Sequence, residues 1–510
     1  MLRPSRRMVR RLDRLRQRVP VRVRRTASDT VPLLAFVLLA LWVVTRFWLY
    51  PDRVSPLHPA QQAAARQLLD QVAHALVHLH DPFAGLPQVV GGGALVAVPL
   101  APVTLAFGSG VGYALWLTLG LAGSAATAYW ALFRHLVGSR MAAFIGALMF
   151  GFAPGVLWHA NGQPAFVTNL LIPVIVVWTV RLGRGRWLRD GVLLGVLVAA
   201  QALVNAELLA ITALAGGYAA LCYLVQRGSP EPAGFARLWP PRPPSTAAGR
   251  SRFAGLAVAV GTGLVLLVYP LLAGLPRQPV PDARLGEDAT TIALYWRDTL
   301  AGNFTADRSV GGIEQNTWFG WPLLILAGVC LALLWRQSVA VRVVALTALV
   351  FGVLGLGAQV RLNGRPTPVP GPWWVLSKVP GLDLIAPSRL ALVLVPCLAI
   401  VLAVAYDRLP SGEPVAYGLT GRRVWIVFLA VALTPNLPRP LQADPRPAAA
   451  PRAMVVSGTV PVPVPAHVRK VGCPRRAGPG CAGRWTRRTY GRRSSTCWPP
   501  GWSPSGSGST

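Results

Sequence analysis

Val31-Pro-Leu-Leu-Ala-Phe-Val-Leu-Leu-Ala-Leu-Trp-Val-Val-Thr-Arg-Phe-Trp-Leu-Tyr50 is the stretch that decides the fold class. It is apolar apart from Thr45 and Arg46. As a helix it crosses roughly 30 Å of hydrocarbon. Nearly a dozen comparable runs follow before Asn436, each closed by arginines and restarted after a short polar gap. The chain is therefore read as an all-α polytopic membrane protein.

Composition agrees. A chain of 510 residues that is 53% hydrophobic and only 13% charged is too apolar for a soluble globule of this length. The formal net charge of +32 raises the question of nucleic acid. Its distribution answers it: the excess lies in the first thirty residues, in alternate gaps between apolar runs and in the C-terminal tail, with no basic stripe interleaved with aromatics on a soluble segment. No nucleic-acid partner is expected. Residues 1–30 carry the pairs Arg6-Arg7, Arg10-Arg11 and Arg24-Arg25. The run that follows is longer than a signal-peptide core and ends in Arg46, Trp48 and Tyr50 rather than a small-residue cleavage site, so it reads as a retained first span with a cytoplasmic N-terminus.

Arginines assign the remaining topology. The gaps 134–140, 181–189, 226–252, 336–342 and 408–423 are basic and belong in the cytoplasm. The stretches 51–88, 159–166, the turn at Asn205, 274–316 and 359–387 then face outward. This alternation gives a membrane domain over 31–437 with about eleven spans in the cell membrane, the N-terminus inside and the C-terminus outside. Val89 to Phe107 is broken by Gly91 to Gly93, Pro99 and Pro102, and reads as re-entrant or interfacial rather than as a full span. Leu193 to Tyr223 must hold two spans folded tightly at Asn205 to Glu207.

Within the first outer loop, Pro59 to Leu79 sets Leu68, Leu69, Val72, Leu76 and Leu79 on one stripe, opposite Gln61, Gln62 and Arg66. This predicts an amphipathic helix on the outer membrane surface. The loop 274–316 is acidic, with Tyr295, Trp296 and Phe304 among its carboxylates, and is the expected place to hold a polar substrate. From 438 onward the chain is rich in Pro and Arg, and after about Lys470 apolar periodicity vanishes. Such a segment cannot repay its ordering entropy and is expected to be disordered. Its composition resembles an out-of-frame translation of a GC-rich gene; the alternative is a basic anchor for anionic partners. Truncation after Lys470 is expected to leave thermal stability in detergent almost unchanged, and a large loss of folded yield would show that the tail packs.

Polar residues inside or beside the membrane are the first suspects for chemistry. Glu207 stands at the outer end of two short spans; it is either a loop carboxylate in water or an acid facing a cavity. The first outer loop offers Asp52, Asp70 and Asp81, with His58, His74, His78 and His80. His74 and His78 are one helical turn apart, but no well-placed carboxylate completes a metal site. The six cysteines (Cys222, Cys330, Cys397, Cys473, Cys481, Cys497) show neither metal nor redox spacing. No metal is assigned, and no cofactor is named. Arg361, Arg365 and Arg389 lie on or just inside an outward segment, against the positive-inside trend. Each is either a snorkelling anchor or a phosphate contact, since the guanidinium fork stays charged and donates two parallel hydrogen bonds.

Several short stretches carry a family resemblance: Ala75-Leu76 to Pro82-Phe83; Pro99 to Thr104 with Phe107-Gly108; Gly146 to Pro154, closing in Phe150-Gly151-Phe152-Ala153-Pro154; Ala199-Ala200-Gln201 through Glu207-Leu208-Leu209; Gly320 to Leu324; and Leu362-Asn363-Gly364 through Pro380-Gly381 to Pro387-Ser388-Arg389. From about Leu33 to Asn436 the chain resembles a group of actinobacterial multipass proteins described as class C glycosyltransferases, whose donors are polyprenyl-phosphate sugars. Two places depart from that group. Its members place an Asp-Pro-x-Gln element followed by tryptophans at the start of the first outer helix, where this chain has Pro59, Gln61 and Gln62 without Asp or Trp. They also carry paired glutamates where this chain has Ala206-Glu207.

The resemblance implies transfer of a sugar from a polyprenyl-phosphate-linked donor, held among membrane lipids, to a hydroxyl on an extracytoplasmic acceptor. Asp70 or Asp52 would then substitute as base, Glu207 would serve as a pocket acid, and Arg361, Arg365 and Arg389 would contact phosphate. Two rivals stand beside it: a non-catalytic or decayed relative, and a lipid or glycan transporter or flippase, for which internal repeats and mid-span charges would be expected.

Overall fold

The computed structural model describes residues 21–56, 59–83, 92–182, 186–226, 246–273, 291–292, 318–362, 365–379, 386–409, 414–416, 419–441 and 443–445. In chain order the elements are α1 (Val21–Leu49), β1 (Val54–Ser55), α2 (Pro59–Val77), α3 (Ala94–Phe107), α4 (Ser109–His135), α5 (Arg140–Phe152), α6 (Pro154–Ala160), α7 (Pro164–Val167), α8 (Ile172–Arg181), α9 (Trp187–Val225) and α10 (Thr246–Ala273). There follow β2 (Thr291–Ile292), α11 (Trp321–Leu334), α12 (Val339–Leu354), β3 (Gln359–Leu362), β4 (Arg365–Pro370), α13 (Trp373–Leu376), α14 (Pro387–Leu390), α15 (Leu394–Arg408), β5 (Pro414–Ala416), β6 (Leu419–Thr420), α16 (Gly421–Leu433) and β7 (Asp444–Pro445). Among the described residues, strands form short ribbons: β1 with β7, β3 between β2 and β4, and β5 with β6.

Among the described residues, five helices are long and apolar enough to cross a membrane: Asp29–Leu49, Ser109–His135, Trp187–Val225, Ser251–Leu272 and Pro387–Arg408. A sixth crossing results if α5 and α6, bent by 40°, form one broken span. This fits an all-α membrane protein. α1 shows the logic of burial at single-residue level. Phe36, Ala40, Val43 and Phe47 recur every three or four positions and are buried, while Val31, Leu34, Leu38 and Trp42 are each more than half exposed. In water that outer stripe would be an aggregation site; in hydrocarbon it is the solvent-facing side.

Small residues set the closest helix approaches, as membrane packing requires where burial of apolar surface gains nothing against lipid. A Cβ at Gly191 would lie 2.6 Å from the Gly255 carbonyl, and one at Gly195 would lie 2.5 Å from that of Ala259, so α9 and α10 touch backbone to backbone. Gly151 meets Ala125 of α4, and Gly146 meets Ala399 and Ala403 of α15. α5 is thereby clamped between α4 and α15.

α9 runs over 39 residues, roughly twice what one crossing needs. It is broken at Asn205, whose φ of −157° and ψ of 99° are extended. The Asn205 side chain accepts from the Leu208 N–H at 2.9 Å and so caps the second half. The halves pack on different neighbours: the first on α10 through Gly191 and Gly195, the second on α12, where Ile211 and Tyr218 share a cluster with Phe351. The expected turn at Asn205 to Glu207 is thus a break at one residue, with Glu207 already in the next helix. α3 covers only 14 residues, short of a full crossing. α2 forms where the amphipathic helix is expected and buries Leu68, Leu69 and Val72. Gln62, read as part of its polar side, is buried too.

Contacts between loops fall into two groups. In one, the Asp407 carboxylate accepts from the Gly138 and Ser139 N–H groups at 3.0 and 2.8 Å. Arg408 donates to the Gln337 carbonyl at 3.1 Å, and Gly255 lies against Leu182. These contacts lie in or beside gaps that the arginine alternation gives to the cytoplasm. In the other, β2 pairs in parallel with β3, β1 pairs with β7, and Asn436 donates to the Phe319 carbonyl at 2.6 Å. These lie in or beside stretches given to the opposite face.

Residues 438–441, placed by composition with the tail, pack: Leu441 is fully buried, its N–H bonds the Val43 carbonyl at 2.9 Å, and Trp42 Nε1 donates to the Pro438 carbonyl at 3.2 Å. One leucine among prolines is enough to dock them on α1. The expectations for residues 1–20, for the rest of the tail and for nearly all of the acidic loop 274–316 lie outside the described residues.

Candidate functional site

The site is assembled from three places that are distant in sequence: the α6–α7 turn, the break in α9 and the start of α14. α14 opens at Pro387, so Arg389 sits in the first turn of the apolar stretch Pro387–Arg408. That is the wrong end of a helix for a cation, because the backbone dipole is positive there. Glu207 occupies the first turn of the second half of α9, the favoured end for an anion. The two side chains pair, Arg389 Nη1 donating to Glu207 Oε2. Both are largely removed from solvent, at 15% and 31% exposure. The ion pair compensates the misplaced charge of Arg389 with the well-placed charge of Glu207.

A flat aromatic surface completes the holder. The Arg389 guanidinium carbon lies 4.8 Å from the centroid of Phe166, and the His159 ring is 4.7 Å from that of Phe166 and nearly parallel at 13°. His159 is buried. Its Nδ1 is 2.7 Å from Gln163 Oε1, a hydrogen bond that puts a proton on Nδ1. The segment bearing Phe166 is latched to α4: Trp116 Nε1 donates to Thr168 Oγ1 at 3.0 Å, Ser124 Oγ donates to the Val167 carbonyl at 3.0 Å, and the Asn169 N–H donates to Ser124 Oγ at 2.8 Å. Phe166 therefore presents a rigid face to Arg389. Loss of the Asn205 cap should loosen the partner: Asn205→Ala is expected to cost about 1 kcal/mol, with Asn205→Ser recovering most of it, in detergent unfolding titrations.

Beside the pair lies an apolar cavity of about 220 Å³. It is walled by α8, the second half of α9, α12 and the α14–α15 run, with Phe150 of α5, Val156 of α6 and Asn169 completing it. Leu208, next to Glu207, and Leu392, three residues after Arg389, both line it. They form one apolar cluster with Ile172, against which Phe166 packs. Thr212 and Thr347 in the lining spend their hydroxyls on carbonyls of their own helices, Leu208 and Val343. The wall is thus mostly hydrocarbon, with Asn169 as a polar side chain in it whose Oδ1 is buried and makes no hydrogen bond.

Of the sequence candidates, Glu207 and Arg389 come together. Asp52 pairs instead with Arg66 at 2.5 Å, and Arg66 also donates to the Pro51 carbonyl and to Ser109 Oγ. Asp70 is half-buried on α2, with no ion pair among the described residues. Neither aspartate contacts the Glu207–Arg389 pair among the described residues. Arg361 and Arg365 stand on the β3–β4 hairpin, and the side chain of Arg365 lies outside the described residues. No group of three His, Cys, Asp or Glu among the described residues is placed to hold a metal. Sequence reading gave no role to Phe166, His159 or Gln163; the available signal was His159 and Gln163 at helical i, i+4 spacing in a polar gap between apolar runs that contains Asn, Gly and Pro. Comparison with models of protein families and with curated proteins gave no match to this chain.

Proposed function

We propose that this chain is a class C-type glycosyltransferase of about eleven spans in the cell membrane, with a cytoplasmic N-terminus, that moves a sugar from a polyprenyl-phosphate donor to an extracytoplasmic hydroxyl. The observation that carries the reading is the Arg389–Glu207 pair against Phe166, which packs on Ile172, Leu208 and Leu392 of the lining of an apolar cavity. A lipid phosphate has that same division, one anionic group on a hydrocarbon chain. In the reaction the acceptor oxygen attacks the anomeric carbon, the bond from that carbon to the phosphate oxygen breaks, and the electron pair leaves with the phosphate. Arg389 stabilises that developing charge. Glu207, released from Arg389 by the incoming phosphate, accepts the acceptor proton. Asp52 and Asp70 serve as base only if acceptor binding brings them to this site.

The test is transfer by purified protein in liposomes, using a radiolabelled polyprenyl-phosphate sugar and a mixture of cell-envelope acceptors. Donor binding with no turnover would favour the second reading, a non-catalytic relative. The Asp52–Arg66 pair favours that alternative, because it leaves the first-loop carboxylate engaged away from the site.

Topology has its own measurement. The three parts of the site lie in or beside 159–166, the turn at Asn205 and 359–387, the stretches that arginine alternation assigns outward, which supports the alternation. Single cysteines at Arg184 and Arg242 are expected to be shielded from an impermeant thiol reagent in intact cells, and one at Thr305 to be labelled. The reverse pattern would put the site on the cytoplasmic face and exclude an extracytoplasmic acceptor.

A further inference from the structure

Asn169 stands in the wall of the apolar cavity with a side-chain oxygen that nothing engages. Its backbone is occupied: the N–H donates to Ser124 Oγ at 2.8 Å, and the carbonyl accepts from the Ile172 N–H at 3.1 Å. Oδ1 is buried and accepts nothing, in a residue only 8% exposed. An oxygen in that state has lost its hydration and gained no partner. The rest of the lining does not supply one. Thr212 and Thr347 have given their hydroxyl protons to the Leu208 and Val343 carbonyls. Cys397 adds only a thiol, which is a weak donor, and no charged side chain lines the cavity among the described residues.

We propose that this cavity binds a small uncharged alcohol or phenol dissolved in the membrane, whose hydroxyl donates to Asn169 Oδ1 while its hydrocarbon body fills the remaining space. The site does not depend on the reaction proposed above. The same wall turns other occupants away. Water needs roughly two to four polar partners, and the lining holds one unengaged oxygen. A plain hydrocarbon leaves that oxygen unpaired. An ionised head of either sign would find no counter-charge, and a sugar or a peptide would bring more polar groups than the wall can pair. A hydroxyl also suits the amide turned the other way, because it accepts as readily as it donates. At about 220 Å³, against the ~150 Å³ that takes one benzene ring, the cavity holds roughly ten carbons, a ring with a short chain. Val176 and Gly216 of the lining are exposed on the outer surface of α8 and α9, so the ligand is drawn from lipid rather than from water.

The experiment uses full-length protein in phosphatidylcholine nanodiscs and para-butylphenol carrying a diazirine in its butyl chain, with adducts mapped by mass spectrometry. Adducts are expected on lining residues such as Thr212, Val393 and Ile400. Unlabelled para-butylphenol should displace the probe about tenfold more effectively than para-butyltoluene, in which a methyl replaces the hydroxyl, at equal concentration in the bilayer. Asn169→Leu should level the two competitors, since it removes the unpaired oxygen and keeps both backbone bonds of Asn169. The wild-type comparison needs no variant, so it decides the question even if Asn169→Leu folds poorly. Equal displacement by the two compounds in wild type, adducts confined to outward residues such as Leu214 and Leu221, or a phenol preference that survives in well-folded Asn169→Leu would overturn the site.

Discussion

Arg389→Ala weakens binding of a polyprenyl-phosphate sugar by about tenfold or more. The contact removed is a charge-assisted hydrogen bond in a partly desolvated site, worth roughly 1.5 to 3 kcal/mol. Arg389→Lys recovers only part of this, because an ammonium is a single point of charge and lacks the planar fork that lies on Phe166. Glu207→Gln moves binding the other way. In the structure the Arg389 guanidinium is already engaged by Glu207, so a donor phosphate must displace that carboxylate. A neutral amide yields more readily, so binding tightens while turnover falls with the loss of the base. Opposite effects on affinity and rate from one substitution are the signature to look for in isothermal titration and single-turnover assays. Removing Arg389 alone also leaves Glu207 uncompensated, so the double variant Glu207→Gln, Arg389→Gln serves as the folding control. Unchanged affinity in well-folded Arg389→Ala would reduce this arginine to an interfacial anchor.

The parts of this site differed in how far the sequence revealed them, and the reason is physical. Glu207 and Arg389 were visible because a charge beside an apolar run is costly and so conspicuous. Their pairing was not visible: 182 positions separate them, and only the packing of α9 against the α14–α15 run brings them together. Phe166 carried no signal, since a phenylalanine near a membrane needs no explanation. It becomes informative only once Arg389 and His159 are both found against its ring. Asp52 and Asp70, after the first apolar run, were visible for the same reason as Glu207, but visibility did not place them at the site. Asp52 satisfies Arg66 instead.

The helical class was legible from run length alone, whereas the helix boundaries were not. A hydrophobic run marks depth in the bilayer and does not reveal where the backbone turns. α5 and α6 read as one run, yet Ala153, extended at φ −62° and ψ 154° before Pro154, bends it by 40°. Asn205, polar inside a long apolar stretch, did announce its break, because an asparagine there is better used as a cap than as a helix interior. A grouping of loops by arginine content can be read from sequence alone. It follows from electrostatics at the membrane faces rather than from packing, and so needs no tertiary information.

Gly146→Leu should abolish recovery of folded protein. α5 is held between α4 and α15, and a Cβ at Gly146 would already lie 2.6 Å from Leu132 Cδ1, 2.9 Å from the Ala399 carbonyl oxygen and 3.1 Å from Ala403 Cβ. Leu132 has a flexible end that can turn aside; the Ala399 carbonyl belongs to a helix backbone and cannot. The added side chain must therefore push α15 away from α5. In a soluble core such overpacking costs about 1–3 kcal/mol. Here the loss reaches further, because close packing, and not apolar burial, is what draws helices together in lipid. α15 also supplies Asp407, which caps Gly138 and Ser139 ahead of α5, and it continues the stretch that carries Arg389, so displacement disturbs both groups of loop contacts. Helix propensity predicts the reverse sign, since leucine is a better helix former than glycine by roughly 0.5–1 kcal/mol. A control at Gly261 of α10, exposed and with no atom within 4 Å of its Cβ position, isolates that effect. Gly261→Leu should hold or slightly raise the detergent melting temperature, Gly146→Ala should lower it by several degrees, and Gly146→Leu should give aggregated material in size-exclusion chromatography. Equal behaviour of the two leucine variants would mean that α5 and α15 are not in contact as described, and with them the frame that sets Arg389 against Glu207 would fall.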